Sequence, residues 1–173
     1  GRNLSFSGVF GLDGLATNSV KRGTIEAPLV LELNFNSGAL VQGIEGRLHD
    51  TNWTSELVAY RAVFHSRTNP APQIGRYTLF FPASGAPDTP EGDGFASITV
   101  AANGVAKLKG SLADNTAITH SAPISREGLW PFHVALRGGR GAIWSWLTFE
   151  TNAVSIGTNL VQGDLAGEVR WVA

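Results

Sequence analysis

Residues 46–54 read GRLHDTNWT and residues 110–118 read GSLADNTAI. Each opens on Gly, sets Leu two places on and Asp two places after that, and then enters a polar turn containing Asn and Thr. Asp50 and Asp114 stand 64 residues apart. The surroundings match too. "VFGL" precedes "LELNFNSGALVQGIEGRLHDTNWTSELVAYRAVF", as "RYTLFF" precedes "ASITVAANGVAKLKGSLADNTAITHSAPIS". Each copy reads as an entry strand, a connection, a strand, a Gly turn (Gly38, Gly104), a Gly-rich strand, the Leu-x-Asp turn and an outgoing strand. The spacing predicts a duplicated β-meander, with pseudo-repeats at about 4–65 and 74–125. Two copies are too few for a solenoid, so they are expected to share one core.

Period-two hydrophobicity supports strands throughout. Leu29, Leu31, Leu33 and Phe35 fall on one face, with Glu32, Asn34 and Asn36 on the other. "ELVAYRAVF" places Val58, Tyr60, Ala62 and Phe64 together, and "GRYTLFF" does the same for Tyr77, Leu79 and Phe81. Residues 129–150 read as an added hairpin. Phe132, Val134 and Leu136 run up, and Ile143, Ser145, Leu147 and Phe149 run down, around a tip whose Gly138 and Gly139 supply positive φ. Asn103-Gly104 between two strand patterns is a hairpin signal. Residues 166–172 read as a closing strand, with Val169 and Trp171 alternating against Glu168 and Arg170. No window carries a helical stripe. The fold class is all-β: a single domain over 1–173, expected as an antiparallel β-barrel of about ten to twelve strands, with a two-sheet β-sandwich as the alternative. Either arrangement protects strand edges. "HSRTNPAPQIG" is a stiff crossover because Pro70 and Pro72 cannot donate to a ladder, and 82–94 is the other long excursion.

The composition narrows the function classes. Only 16% of the 173 residues are charged, against about 25% in an average protein. Thirteen basic and fourteen acidic residues leave a net charge of −1, which is no footprint for nucleic acid or an anionic membrane. There is no Cys, so disulfides and thiol chemistry are excluded. No apolar run approaches the roughly 20 residues of a membrane-spanning helix, and a soluble domain without membrane insertion is expected. The absence of Met, even at position 1, is read as a processed form or a piece of a longer chain.

Three runs, "RAVFHSRTNPAPQIGRYTLFFP", "PEGDGFASITVAANGVAKLKGSLAD" and "GLWPFHVALRGGRGAIWSWLTF", together resemble a domain recurring in very large secreted bacterial proteins. There it sits beside immunoglobulin-like, concanavalin-like or autotransporter-type modules. Arg61 to Phe64, Asn69 to Gln73, Gly75, Tyr77, Thr78, Leu112 to Asp114, Trp130 and Pro131 carry the resemblance. Asn115 and Ser145 stand where Gly is usual. The resemblance implies an extracellular or cell-surface location inside a larger protein. It implies no reaction, and no catalytic residue carries over.

No catalytic constellation is legible in the residues themselves, and the chain is read as a non-enzyme. G-x-S-x-G and H-E-x-x-H are both missing. His49-Asp50 is a tempting pair, but the matching copy has Ala113-Asp114, so His49 is no part of the turn. His65, His120 and His133 read as surface or satisfied polar groups. Asp50, Asp114, Asn103, Gly104, Gly138 and Gly139 are expected as structural turn residues, each Asp accepting from backbone N–H groups two residues on. Asp88, Glu91 and Asp93 are the candidate metal ligands, for Ca²⁺ if for any ion, since calcium takes hard oxygens from a flexible loop; otherwise no cofactor is expected.

Trp144 and Trp146 share a strand face opposite Ile143, Ser145 and Leu147. If the latter face the core, the two indoles project outward as a platform for the apolar face of a sugar ring. Trp130, Arg137 and Arg140 complete the candidate ligand-binding set. A lipocalin-like apolar site is disfavoured, because the bulky inward sets predict a filled interior. The leading expectation is a structural or interaction module whose partners are other domains of the same protein or copies of itself. Self-assembly would proceed through edge strands or the N-terminal "GRNLSFSGVFG". Carbohydrate binding is the alternative.

Overall fold

The computed structural model describes residues 4–24, 26–36, 43–83, 92–149, 154–156, 159–161 and 164–172. All regular structure there is β apart from one 3-10 turn at Arg137–Gly139. The chain divides into two compact units, Gly1–Arg61 and Ala62–Ala173.

The first unit is a four-stranded antiparallel meander of β1 (Leu15–Val20), β2 (Leu29–Asn36), β3 (Gly43–His49) and β4 (Thr54–Tyr60), in sheet order β1-β2-β3-β4. Cross-strand register aligns Ala16, Leu33, Gly46 and Leu57 in one row, and Asn18, Leu31, Leu48 and Ser55 in the next. These rows lie on the apolar face that the alternation of 29–35 predicts. The opposite face carries the row Thr17, Glu32, Arg47 and Glu56. Among the described residues of this unit, only Ala16, Val20 and Leu31 are buried hydrophobic residues. The stretch read as a strand up to Phe64 ends at Tyr60 instead. Its phase is also set differently: Leu57 opposes Gly46 on the apolar face, while Val58 opposes Glu45.

The second unit holds a meander of the same order. It consists of β5 (Gly75–Phe81), β6 (Gly94–Val100), β7 (Val105–Ser111) and β8 (Ala117–Pro123). A hairpin follows, β9 (Leu129–Leu136) and β10 (Gly141–Phe149), and then β11 (Val154–Ile156) paired with β12 (Asn159–Val161). The expected closing strand is two short ones, β13 (Leu165–Ala166) and β14 (Arg170–Val172), both paired with β10. The break falls where Ser145 Oγ donates to the carbonyl of Glu168 at 2.6 Å. Strict alternation in β6 (buried, exposed, buried), and alternation from Ile143 to Leu147 in β10, aim two sheets at one core. Ala96, Ile98, Leu108 and Ile118 come from one sheet, and Trp130, Phe132, Ile143 and Leu147 from the other.

Among the described residues no sheet closes on itself, so the expected barrel is replaced by open antiparallel sheets. Sequence alternation is the same for both arrangements; closure depends on edges that must meet. β8 and β9 come together through side chains. His120 Nε2 donates to the Pro131 carbonyl at 2.7 Å, and the Trp130 indole donates to the Ala122 carbonyl at 3.1 Å. Pro131 has no N–H to extend a ladder, which suits the edge position of β9. At the far side β5 pairs only with β6, and β13 and β14 only with β10.

Candidate functional site

Burial of Ile143, Ser145, Leu147 and Phe149 turns Trp144 and Trp146 outward, 37% and 43% exposed. Residues two apart on a strand are roughly 6.6–6.8 Å apart, so the two indoles lie side by side along β10. Register places Trp144 between His133 of β9 and Arg170 of β14, and Trp146 opposite Pro131. The sequence alternation already reads His133 as a surface group and sets Arg170 opposite Trp171; the strand pairing adds that both flank Trp144.

Trp130 does not belong with this pair. It is 0% exposed, stacks near Phe132 with ring centroids 5.9 Å apart, and spends its N–H on Ala122. The alternation through Phe132, Val134 and Leu136 already carried that signal, because residue 130 falls in the same phase. Arg137 and Arg140 sit at the hairpin tip, where Arg137, Gly138 and Gly139 all have positive φ (48°, 68° and 91°). Arg137 Nη2 lies 3.6 Å from Asp114 Oδ2 and so ties the tip to the Leu112–Thr116 turn.

Both aspartates act in turns, but in different ones. Asp114 is the middle residue of a five-residue loop in which Leu112 N–H donates to Thr116 O and Asn115 N–H to Leu112 O. Asp114 Oδ1 accepts the Thr116 N–H at 3.0 Å, and Asn115 takes the left-handed position at φ 63°. The same loop recurs at 11–15, 101–105 and 125–129, with Gly14, Gly104 and Gly128 at that position. Asn103 is thus the middle residue of its five-residue loop, as Asp114 is of the other, and its Oδ1 accepts the Val105 N–H. Asp50 instead opens its turn. Its N–H donates to Trp53 O, and its Oδ1 accepts from the N–H groups of Asn52 and Trp53. Its Oδ2 lies 2.5 Å from Arg22 Nη2, whose Nε donates to the Ala27 carbonyl. The Asn52 N–H, then Arg22 and the Trp53 N–H, hold the Asp50 carboxyl below the usual carboxylate range. The hydroxyl and N–H of Thr116, aided by Arg137, do the same for Asp114.

The first Gly of each quoted stretch has one shared reason. A Cβ on Gly46 would stand 2.1 Å from the Glu32 carbonyl oxygen, and one on Gly110 would stand 2.2 Å from that of Phe95. At both positions the third strand approaches the second too closely for a side chain.

The histidines are spread out. His49 Nε2 is 3.9 Å from Glu32 Oε1, while the adjacent Asp50 is committed to Arg22 and the turn. His65 Nδ1 lies 3.0 Å from Thr68 Oγ1 within its own turn, His120 packs on Trp130 and Phe132, and His133 is exposed. Of the three candidate metal ligands, Asp88 and Glu91 lie outside the described residues. Asp93 Oδ1 accepts the Ala83 N–H at 2.9 Å. Among the described residues no three His, Asp or Glu side chains converge, and no helix is long and apolar enough to cross a membrane.

The interior of the second unit is not filled as the bulky inward residues predicted. A cavity of about 540 Å³ opens between the two sheets, lined by Leu79, Phe81, Leu112, Ile143, Leu165 and Trp171 among others. It lies between β5 and β13–β14, which do not pair with each other among the described residues. The Trp171 indole N–H is buried without an acceptor among the described residues. No protein family, curated protein or solved structure matches this chain.

Proposed function

We propose that this chain is a non-catalytic interaction module of an extracellular bacterial surface protein, associating with copies of itself or with adjoining domains through apolar surface that its fold leaves open. The first meander carries this reading. Its apolar face carries no charged residue and buries Ala16, Val20 and Leu31, but Leu29, Leu33, Ile44, Leu48 and Leu57 stay half-buried and Phe35 is 45% exposed. A sheet stable in water normally covers such a face with another layer, and large exposed apolar patches mark interaction sites. The extracellular setting rests on the sequence resemblance, with which a turn-rich β fold of low charge content is consistent. We read the two meanders as copies of one ancestral unit, because they share strand order and the close approach at Gly46 and Gly110. The facing sheets of Ala62–Ala173 make that unit sandwich-like. Sedimentation velocity over a concentration series tests the proposal. Concentration-dependent association is expected; a monomer at every concentration would overturn self-association and leave adjoining domains as the only partner.

Carbohydrate binding is the second reading, favoured by the outward pair Trp144 and Trp146. Titration with a panel of polysaccharides should change Trp fluorescence, and the Trp144→Ala/Trp146→Ala double variant should lose the response. Unchanged binding by that variant would dispose of this reading.

A further inference from the structure

We infer that the cleft between β5 and β13–β14 of the second unit receives residues 4–10 of a second copy as an added strand; this rests on the self-association proposed above. The cleft has the parts such a strand needs. One wall is β5 and the residues after it; the other is Leu165 to Gly167 with Trp171, and Ile143, Leu147 and Leu112 form the floor. The outward edges of β5, β13 and β14 are unpaired among the described residues. Open main-chain edges beside an apolar trough favour β-augmentation, in which the ladder gives affinity and alternate side chains give specificity.

Residues 4–10 read LSFSGVF. In extended form Leu4, Phe6, Gly8 and Phe10 point one way, and Ser5, Ser7 and Val9 the other. They are described without strand pairing, and Leu4, Phe6 and Phe10 are all exposed. Seven residues span about 23 Å, and β5 is also seven residues long. Charge matches as well. The segment has no charged residue, and neither does the cleft lining, so insertion strands no buried ion. The two Phe side chains bring roughly 300–500 Å². Leu4, the main chain and the covered cleft wall raise the total toward about 1,200 Å², the lower end for a specific interface. Insertion exchanges the Phe10–Phe35 contact, 6.0 Å between centroids, for the cleft.

The test uses the full chain and its Phe6→Asp/Phe10→Asp variant, with a synthetic LSFSGVF peptide as second probe. The variant should associate about a hundredfold more weakly or worse, since it brings charge into an uncharged trough. The peptide should bind the variant one to one, shift its Trp fluorescence through Trp171, and dissociate wild-type assemblies. If wild type associates but the variant associates equally well, or the peptide fails to bind, the strand acceptor is wrong while self-association stands. If wild type never associates, the underlying reading fails instead. A monomeric wild type that the peptide nonetheless binds would mean that the cleft is filled from within one chain, which overturns the second-copy assignment.

Discussion

The two meanders have the same strand order and opposite fates. Their registers can be aligned through the glycine where the third strand meets the second, Gly46 opposite Leu33 and Gly110 opposite Ala96. Phe35 then corresponds to Ile98, Ile44 to Leu108 and Leu57 to Ile118. Ile98 is 0% exposed and Phe35 is 45% exposed. The difference is not in the strands themselves, which alternate equally well. The second meander has β9 and β10 laid over its apolar face. Residue pattern therefore builds a meander, and a second layer builds a core.

Core truncation should separate the copies most. Ile98→Ala is expected to cost about 2–5 kcal/mol, because it empties a packed site. Phe35→Ala in dilute solution should cost under about 1 kcal/mol, as for surface positions. Urea unfolding of both variants checks this, and equal losses would mean that the first face is covered after all. Trp130→Ala belongs with the larger effect, about 3–5 kcal/mol.

Gly46→Ala and Gly110→Ala should hurt alike, by about 1–3 kcal/mol each from the forced backbone shift. Both methyls would meet a main-chain carbonyl, whatever covers the sheet. Unequal losses in thermal unfolding would break the equivalence of the two backbones.

Acid should expose the two aspartates. Each carboxyl is held below its ordinary value in the folded state. Its contribution is therefore complete above the unfolded value near 3.9, and it is lost as pH falls through the lower folded value. Asp50→Asn and Asp114→Asn should both flatten the stability profile below about pH 4. The Asp50 side chain is only 4% exposed beside Arg22, against 30% for Asp114 beside Arg137. High salt should therefore weaken the Asp114 effect and leave most of the Asp50 effect. A pH profile unchanged by both substitutions would contradict these roles. A smaller effect than any of the core or glycine changes is expected of Asn115→Ala, about 1 kcal/mol for placing Ala in the left-handed region, read as a lowered melting temperature.

Sequence pattern carried the faces of β2, β5 and β10, the outward turn of Trp144 and Trp146, and the turn role of both aspartates. Those are local properties of alternation and of short side chains beside free N–H groups. It did not carry closure, because whether β5 meets β14 depends on edges brought together over a whole chain. Nor did it separate the two Leu-x-Asp turns. Leu48 is still inside β3, whereas Leu112 is already the first residue of the loop, and that shift depends on where the ladder stops. The cavity was illegible for a similar reason: each inward residue is bulky, but volume is a property of their sum. Trp130 was legible and misassigned, since its phase matches Phe132.

Hydrogen exchange followed at low and high protein concentration tests the central claim most directly. In dilute solution the amides of β2 and β3 should exchange faster than those of β6 and β7, because a sheet whose apolar face is only partly covered opens more easily. Raising the concentration should protect β2 and β3 as their apolar face is covered by a partner. Equal protection of both meanders at every concentration would contradict the account.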